Sequence, residues 1–358
     1  MKRTSSAISG GIEVAAGTPP AAHWAAIPPT IVSQMTIFAS ATHARLGAGS
    51  PAGMIDRYVA RAISELVVGY TGIAVCGGAL GVIRTARLFT FADMSWRSLA
   101  DMQVARMWPC AAYAAGRLYV FGGLSTVAID SSPDCDDEEA APRPAYGDPV
   151  ASVEVYDQHT DSWRIVTTMP MPRAGSVTEV VDGRVYLIGG HSPRSEVPVC
   201  DAYDPALDAW FPVEAFPADK FTASAAIAVG KDLFVVGDAT DGTCAAVLDT
   251  TTGTWSRLPN APERLGVVAL TADEDRHAIR VYNSWDPPPP GQQIDMDTRR
   301  WSAGTMPLIG YANVTVTAGN RVYGIGWDIV AIYDDSGLPP LLVHGADFFP
   351  GAAAPVPF

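Results

Sequence analysis

Four of the tryptophans between residues 163 and 301 recur at nearly equal intervals. The successive steps from Trp163 through Trp210 and Trp255 to Trp301 are 47, 45 and 46 residues. Each tryptophan follows an apolar segment and a polar turn, which is typical of a β-hairpin. Repeats of this length are those of four-stranded blades in a β-propeller. The spacing therefore predicts a ring of similar small sheets.

A second repeated signal is a short apolar strand that ends in glycine. Gly116–Gly123 reads Gly-Arg-Leu-Tyr-Val-Phe-Gly-Gly, and Gly183–Gly190 reads Gly-Arg-Val-Tyr-Leu-Ile-Gly-Gly. Weaker copies are Ile73–Gly78, Asp232–Asp238, Ile279–Ser284 and Arg321–Trp327. Glycine permits the chain to leave the strand sharply, because its backbone is not restricted by a side chain. Six copies predict six blades.

The two signals together resemble the kelch repeat. In the best copies a diglycine follows a strand, a Tyr-Asp pair comes next, and tryptophan lies six residues after the aspartate, as in Asp157 and Trp163. The resemblance covers residues 58–335 and is strongest in the second and third copies. It implies an all-β, six-bladed β-propeller of four-stranded kelch-type blades, with residues 1–358 in a single domain.

The last repeat lacks a tryptophan after its Tyr-Asp pair, Tyr333 and Asp334. Trp24 begins a Trp-x-x-apolar-Pro pattern that Trp255 also begins, so we expect an N-terminal strand to complete the last blade and close the ring. In the alternative, Leu341–Val343 forms the outer strand of that blade. The tail, residues 345–358, is apolar and proline-rich and is expected to cross a blade surface or to be loose.

Basic residues occupy one repeated position before the glycine strands. They are Arg61, Arg106, Arg173, Lys220 and Arg264. In kelch propellers this position lies where one blade crosses to the next, at one mouth of the central channel. The resemblance thus implies a ring of basic side chains that attracts anions. The alternative is that each arginine bonds backbone carbonyls between blades.

Two segments are longer than the repeat requires, and both are expected as inserted loops on the same channel face. They are residues 29–57 and 124–150. Long loops in compact domains are commonly lids or binding loops. The second carries an acidic run, Asp134–Glu139, which lacks the ligand spacing of a calcium loop, so a solvated mobile loop is expected.

Further polar and aromatic residues are expected at this mouth. The candidate catalytic residues are His191, Asp238 and Arg173, and the candidate binding residues are Arg61, Arg106, Lys220, Arg264, Trp285, Asp286, Trp327 and Asp328. Together they would bind and protonate a small polar or anionic substrate. Each has a structural alternative: a turn for the histidine, a loop cap for the aspartate, and packing between blades for the tryptophans.

Composition excludes several classes of function. A net charge of -14 disfavours nucleic acid and anionic membranes as partners. Five scattered cysteines without a CxxC pair fit reduced thiols in a cytoplasmic protein. No pair among the six histidines has metal-ligand spacing, and no nucleotide fingerprint occurs, so we expect no metal and no cofactor.

Two hypotheses of function follow. The first is a small-molecule enzyme without a redox cofactor, of the isomerase, epimerase or cyclase type, with its site at the channel mouth; kelch relatives include a sialic-acid epimerase. The alternative is a kelch protein-interaction module that binds an acidic peptide or protein on the arginine-lined face. The fold alone does not choose between them.

Overall fold

The computed structural model describes most of the chain from residue 72 onward. The described ranges are 72–78, 82–91, 95–125, 127–130, 143–192, 199–218, 221–283, 292–304, 314–318, 321–325, 329–333, 341–344 and 350–356. Within them the regular elements are β-strands, 26 in number. In these same ranges, no helix has the length and apolarity needed to cross a bilayer. The predicted N-terminal strand around Trp24 lies outside the described residues.

The strands follow one another along the chain at short intervals. The first thirteen are β1 (Gly72–Gly78), β2 (Ala86–Thr90), β3 (Ser95–Ser98), β4 (Cys110–Ala114), β5 (Arg117–Phe121), β6 (Val127–Asp130), β7 (Arg143–Tyr146), β8 (Ser152–Asp157), β9 (Ser162–Thr168), β10 (Val177–Val181), β11 (Arg184–Ile188), β12 (Cys200–Asp204) and β13 (Ala209–Val213). The others are β14 (Thr222–Val229), β15 (Asp232–Ala239), β16 (Gly242–Asp249), β17 (Thr254–Arg257), β18 (Val267–Asp273), β19 (Ala278–Asn283), β20 (Gln292–Asp295), β21 (Arg300–Ala303), β22 (Val314–Ala318), β23 (Arg321–Ile325), β24 (Ile329–Tyr333), β25 (Leu341–His344) and β26 (Pro350–Val356).

Twenty-four of these strands form six four-stranded antiparallel sheets, which are the blades. From the inner to the outer strand they are β26-β1-β2-β3, β4-β5-β8-β9, β10 to β13, β14 to β17, β18 to β21 and β22 to β25, numbered blades one to six. The inner strands contact one another in a closed circle, from β26 through β4, β10, β14, β18 and β22 back to β26. The six-bladed β-propeller predicted from the sequence is confirmed.

The prediction that an N-terminal strand closes the ring is wrong. The outer strand of blade six is β25, which pairs with β24, as the alternative for this segment proposed. The ring closes instead in blade one, where β26 from the C-terminal tail pairs with β1. Repeat counting missed this strand because its sequence, Pro-Gly-Ala-Ala-Ala-Pro-Val, carries neither the glycine signal nor the tryptophan signal.

Left-handed residues shape the hairpins of the blades. Between the first and second strands of blades two and three, Ala115-Gly116 and Asp182-Gly183 have φ of 48°, 75°, 50° and 79°. Two positive φ angles in succession form the turn that matches the twist of paired strands. In the outer hairpins, the carboxylate of Asp157 accepts the backbone N–H of His159 at 2.9 Å, which fixes the turn before Trp163.

Three of the four repeated tryptophans join neighbouring blades. The indole Nε1 donates to a carbonyl just beyond the outer strand of the preceding blade: Trp163 to Ala100, Trp255 to Glu214 and Trp301 to Pro259, at 2.7–2.8 Å. All three acceptors lie four residues after the tryptophan of the preceding blade: Ala100 after Trp96, Glu214 after Trp210 and Pro259 after Trp255. The repeat spacing is thus a spacing of donors and acceptors between blades.

One pair of adjacent alanines tests the closing strand. Ala354 is buried in the core of blade one, with 1% of its surface exposed, whereas the neighbouring Ala353 is only partly buried. Ala354→Asp should cost at least about 2 kcal/mol of folding free energy, because it buries an unpaired charge, and Ala353→Asp should cost clearly less. Urea unfolding of both variants measures the difference. Equal losses would contradict the placement of β26 as an inner strand.

Candidate functional site

The crossovers between blades lie beside the connections that follow the glycines. Ile83 pairs with Arg106, Met107 with Leu124, and Ala174 with His191, each through an isolated β-bridge. In blades one to three the crossovers and the connections that follow the glycines therefore lie on one side of the propeller. We call this side the mouth face; it is the face on which the candidate residues were expected.

Arg106 is fully buried at the crossover from blade one to blade two. Its guanidinium donates to the carbonyls of Gly122 and Ser152 at 2.7 and 3.0 Å, and to the carboxylate of Glu154 at 2.8 Å. The same carboxylate accepts the backbone N–H groups of Gln103 and Val104, at 2.6 and 3.0 Å. Glu154 thus anchors the entire crossover to the third strand of blade two.

Arg173 occupies the equivalent place at the crossover to blade three, and 2% of it is exposed. It donates to the carboxylate of Asp201 at 2.7 Å and to the carbonyl of Leu187 at 3.4 Å. Its own carbonyl accepts the N–H of Gly123 at 3.0 Å. A side chain at Gly122 would collide with this carbonyl, and φ there is +58°. The diglycine therefore permits the crossover to lie directly on the preceding blade.

These two arginines are not presented to solvent. Burial lowers the pKa of the Arg106 guanidinium, and the hydrogen bond to Glu154 opposes that effect. Their donors are directed at acceptors inside the propeller, which is the bonding of the structural alternative, and they form no open ring of positive charge. The predicted roles of Arg106 and Arg173 in binding or catalysis stay predictions.

On the mouth face, His191 lies in the connection after β11, Asp238 near the end of β15, and Arg264 in the crossover after β17. His191 is exposed, and its backbone N–H donates to the carbonyl of Ala174 at 2.7 Å. Asp238 is partly buried and accepts from the Thr243 hydroxyl at 2.7 Å. Arg264 is exposed and donates to the carbonyl of Ala239 at 3.2 Å. Among the described residues no hydrogen bond joins His191, Asp238 and Arg173 into a catalytic group.

Several candidates lie outside the described residues. They are Arg61, Lys220, Trp285, Asp286, Trp327, Asp328, the segment 29–57 and the acidic run 134–139. Of the second predicted loop, 124–150, the structure describes a two-stranded hairpin of β6 and β7. Leu124 and Pro149 pair at its base, so the hairpin leaves blade two on the mouth face.

The mouth face holds two exposed residues that the sequence analysis did not single out, Arg84 and Trp108. Trp108 is 37% exposed and has φ of 51°, two residues after Arg106. Gly175, two residues after Arg173, has φ of 66° at the same place in the next crossover. Comparing the two crossovers residue by residue would have found Trp108, because tryptophan replaces glycine there.

One carboxyl group on the inner strand of blade three has no cationic partner among the described residues. Glu179 of β10 is partly buried, and its carboxylate accepts the N–H of Val180 at 3.1 Å. Val177 and Val181 lie two residues before and two residues after Glu179, on the same face of the strand. Both pack in the apolar cluster between blades three and four. Burial raises the pKa of Glu179 to about 7.

The described thiols are poor nucleophiles. Cys76, Cys110, Cys200 and Cys244 are free and buried. Burial raises the pKa of Cys110 to about 12 and those of Cys200 and Cys244 to about 11. Since the thiolate is the reactive form, none of these four cysteines is poised for nucleophilic attack near neutral pH.

The comparison with protein families matches one blade of the propeller. A family model described as the Kelch motif covers residues 172–216, which run from the crossover through blade three. The chain therefore carries a kelch repeat, and curated proteins similar to it are kelch-repeat proteins. The match includes Arg173, the diglycine of blade three and Trp210, so the arginine–carboxylate pair and the tryptophan belong to the matched repeat.

The curated relatives of this chain share little sequence identity with it and are longer than it is. Beta-scruin of Limulus polyphemus is 24% identical over 60% of the chain and 22% of that protein. An F-box/kelch-repeat protein of Arabidopsis thaliana is 28% identical over 40% of the chain and 32% of its own length. Kelch-like protein 25 of Xenopus tropicalis is 26% identical, over 58% and 34%. The chain spans about a third or less of the length of each.

A solved structure described as "Structure of YjhT" is similar to the structure of this chain. The TM-score is 0.52 at 16% sequence identity, over 76% of this chain and 97% of the other. At this identity the likeness concerns the fold alone.

Breaking the Arg106–Glu154 pair should be costly. Arg106→Met or Glu154→Leu alone should each lose about 3 kcal/mol, because each leaves a buried partner unsatisfied, whereas the double variant should lose less than the sum of the two. Arg184→Ala is the matched control, since that arginine is 41% exposed in its pair with Asp204, and should lose at most about 1 kcal/mol. Urea unfolding gives all four values. Strict additivity would refute the coupling.

Glu179 should make stability depend on pH. Because its folded pKa is raised to about 7 and that of an unfolded glutamate is near 4.3, the folded state holds the proton more tightly, and stability falls as pH rises from about 4 to 7. Glu179→Gln should remove this loss and stabilise the protein at pH 8 by on the order of 1–3 kcal/mol. Urea unfolding at pH 5 and pH 8 checks it, with the exposed Glu214→Gln as control. A pH profile unchanged by Glu179→Gln would contradict the argument.

Proposed function

We propose that this kelch-repeat protein is a protein-interaction module that binds an acidic peptide or protein segment on its mouth face. The observation that carries the proposal is a set of exposed basic side chains there, Arg84, His191 and Arg264. No ion pair joins any of them to another described residue, although the chain as a whole has a net charge of -14. Accessible guanidinium groups that form no ion pair with a described carboxylate of their own chain are suited to carboxylates of a second molecule, and an exposed imidazole offers a further hydrogen-bond donor.

The rigidity of the mouth face supports the same proposal. In blade four, β15 and β16 pair up to Ala239 and Gly242, so the connection is a regular hairpin. Arg257, Asp241 and Asn260 bond one another at its tip, at 2.8–2.9 Å. Binding to such preformed elements costs less conformational entropy than binding to a flexible loop.

The relatives favour an interaction module over an enzyme. Two of them, from Arabidopsis thaliana and Caenorhabditis elegans, have names that combine kelch repeats with an F-box or a BTB domain, and neither name states a catalytic activity. The small-molecule enzyme of the isomerase, epimerase or cyclase type has weaker support. Its three candidate catalytic side chains share no hydrogen bond, and Arg173 is engaged by Asp201.

A selection of peptides tests the proposed function. The full chain is presented with a displayed library of short random peptides, and the enriched sequences are compared with those from the triple variant Arg84→Glu, His191→Glu, Arg264→Glu. We expect the wild type to enrich peptides rich in aspartate and glutamate and the variant to lose them, because the charge of the face is reversed.

A control variant separates the face from the net charge. Arg117→Glu alters an exposed arginine at the start of β5, at the opposite end of that strand from Gly122, and should keep the wild-type selection. Wild-type protein that enriches no sequence, or enriches the same sequences as the triple variant, would contradict the proposed function.

A further inference from the structure

Trp108 holds a backbone conformation that its side chain disfavours. Its φ of 51° lies in the left-handed region, which residues with a side chain disfavour relative to glycine. The equivalent residue of the next crossover, Gly175, has φ of 66° without a side chain. The fold therefore needs the left-handed turn here, and glycine would provide it with less strain.

Two backbone bonds maintain this conformation. The N–H of Trp108 donates to the carbonyl of Gly78 in blade one, and its carbonyl accepts the N–H of Gly175 at the crossover to blade three, both at 2.9 Å. Trp108 is thereby fixed between three blades. Strain that the surroundings enforce and that a simpler residue would avoid is characteristic of functional positions.

Apolar and basic residues lie in the segments next to Trp108 on the mouth face. Met107, Leu124 and Ala174 form a small buried cluster of their own on the mouth face, with Val82 packed against it. Ala174 pairs with His191, and Ile83, next to Arg84, pairs with Arg106. Trp108 itself is 37% exposed, and a side chain at Gly175, whose N–H bonds the Trp108 carbonyl, would meet no atom within 4 Å.

We propose that Trp108 is the anchor contact of the peptide site, and that it receives one apolar side chain of an extended peptide whose acidic residues meet Arg84 and His191. This rests on the proposed function and adds the position and chemistry of its central contact. A partly exposed tryptophan with a fixed backbone, and with an arginine and a histidine in the segments that pair with its neighbours, has the composition of an interface hot spot. The cationic neighbours select an acidic peptide over a neutral or basic one.

The experiment uses synthetic copies of the peptides enriched on the full wild-type chain. Their affinities are measured for the wild type, Trp108→Gly and Trp108→Asn, since both substitutes tolerate positive φ. We expect each enriched peptide to contain an apolar residue beside acidic ones, and to bind both variants roughly 30-fold more weakly. Ala115→Gly, which replaces a residue with φ of 48° in the β4–β5 turn, is the matched control and should bind as the wild type does.

Unfolding in urea separates a binding role from a structural one. If Trp108 serves the partner, Trp108→Gly should keep or raise the unfolding midpoint, as Ala115→Gly should, because both relieve left-handed strain. A lower midpoint for Trp108→Gly would show that the indole serves the fold, and would overturn the proposal, as would undiminished affinity. Peptides that bind both Trp108 variants normally yet fail on the charge-reversed triple variant would leave the proposed function standing while overturning the anchor. Absence of any enriched peptide would overturn both.

Discussion

The buried arginine at each crossover is the interaction on which the assembly of blades one to three depends. Through its carbonyl the arginine bonds the glycine end of one blade, and through its guanidinium it bonds a carboxylate on the third strand of the next. Each charge is compensated inside the protein, so the blades meet without leaving an ion exposed to an apolar core. The diglycine belongs to the same device, because only a residue without a side chain allows the crossover carbonyl to approach so closely.

The bonds between neighbouring blades explain how much of the fold could be predicted from the sequence. The repeat spacing reports donors and acceptors that join adjacent blades, so counting the repeats gave the number of blades and the position of most strands. Repeat counting did not find the closing strand, β26, because it is held by its pairing with β1 and by small side chains such as Ala354. These side chains carry no repeat signature. Proline is tolerated there because the inner strand of a blade has one edge that pairs with no other strand.

The candidate site was harder to predict than the fold. The repeated arginines were found at their equivalent places, but whether Arg106 and Arg173 point to solvent depends on Glu154 and Asp201. Both carboxylates lie two residues before the tyrosine of a Tyr-Asp pair, a regularity that was present in the sequence and would have predicted internal ion pairs. The sequence marks Trp108 only as a tryptophan at the place that Gly175 has in the next crossover, and its left-handed backbone angle comes from the structure.

The closure of blade one has a consequence for how the chain folds. Its β1 strand begins at residue 72, whereas the strand that covers its inner edge ends at residue 356. During synthesis that edge stays open until nearly all the other blades have been made, and open edges invite pairing with other molecules. Pairing of β26 with β1 thus completes the ring. Because these two strands are far apart in sequence, we expect this step to be slow and late in folding.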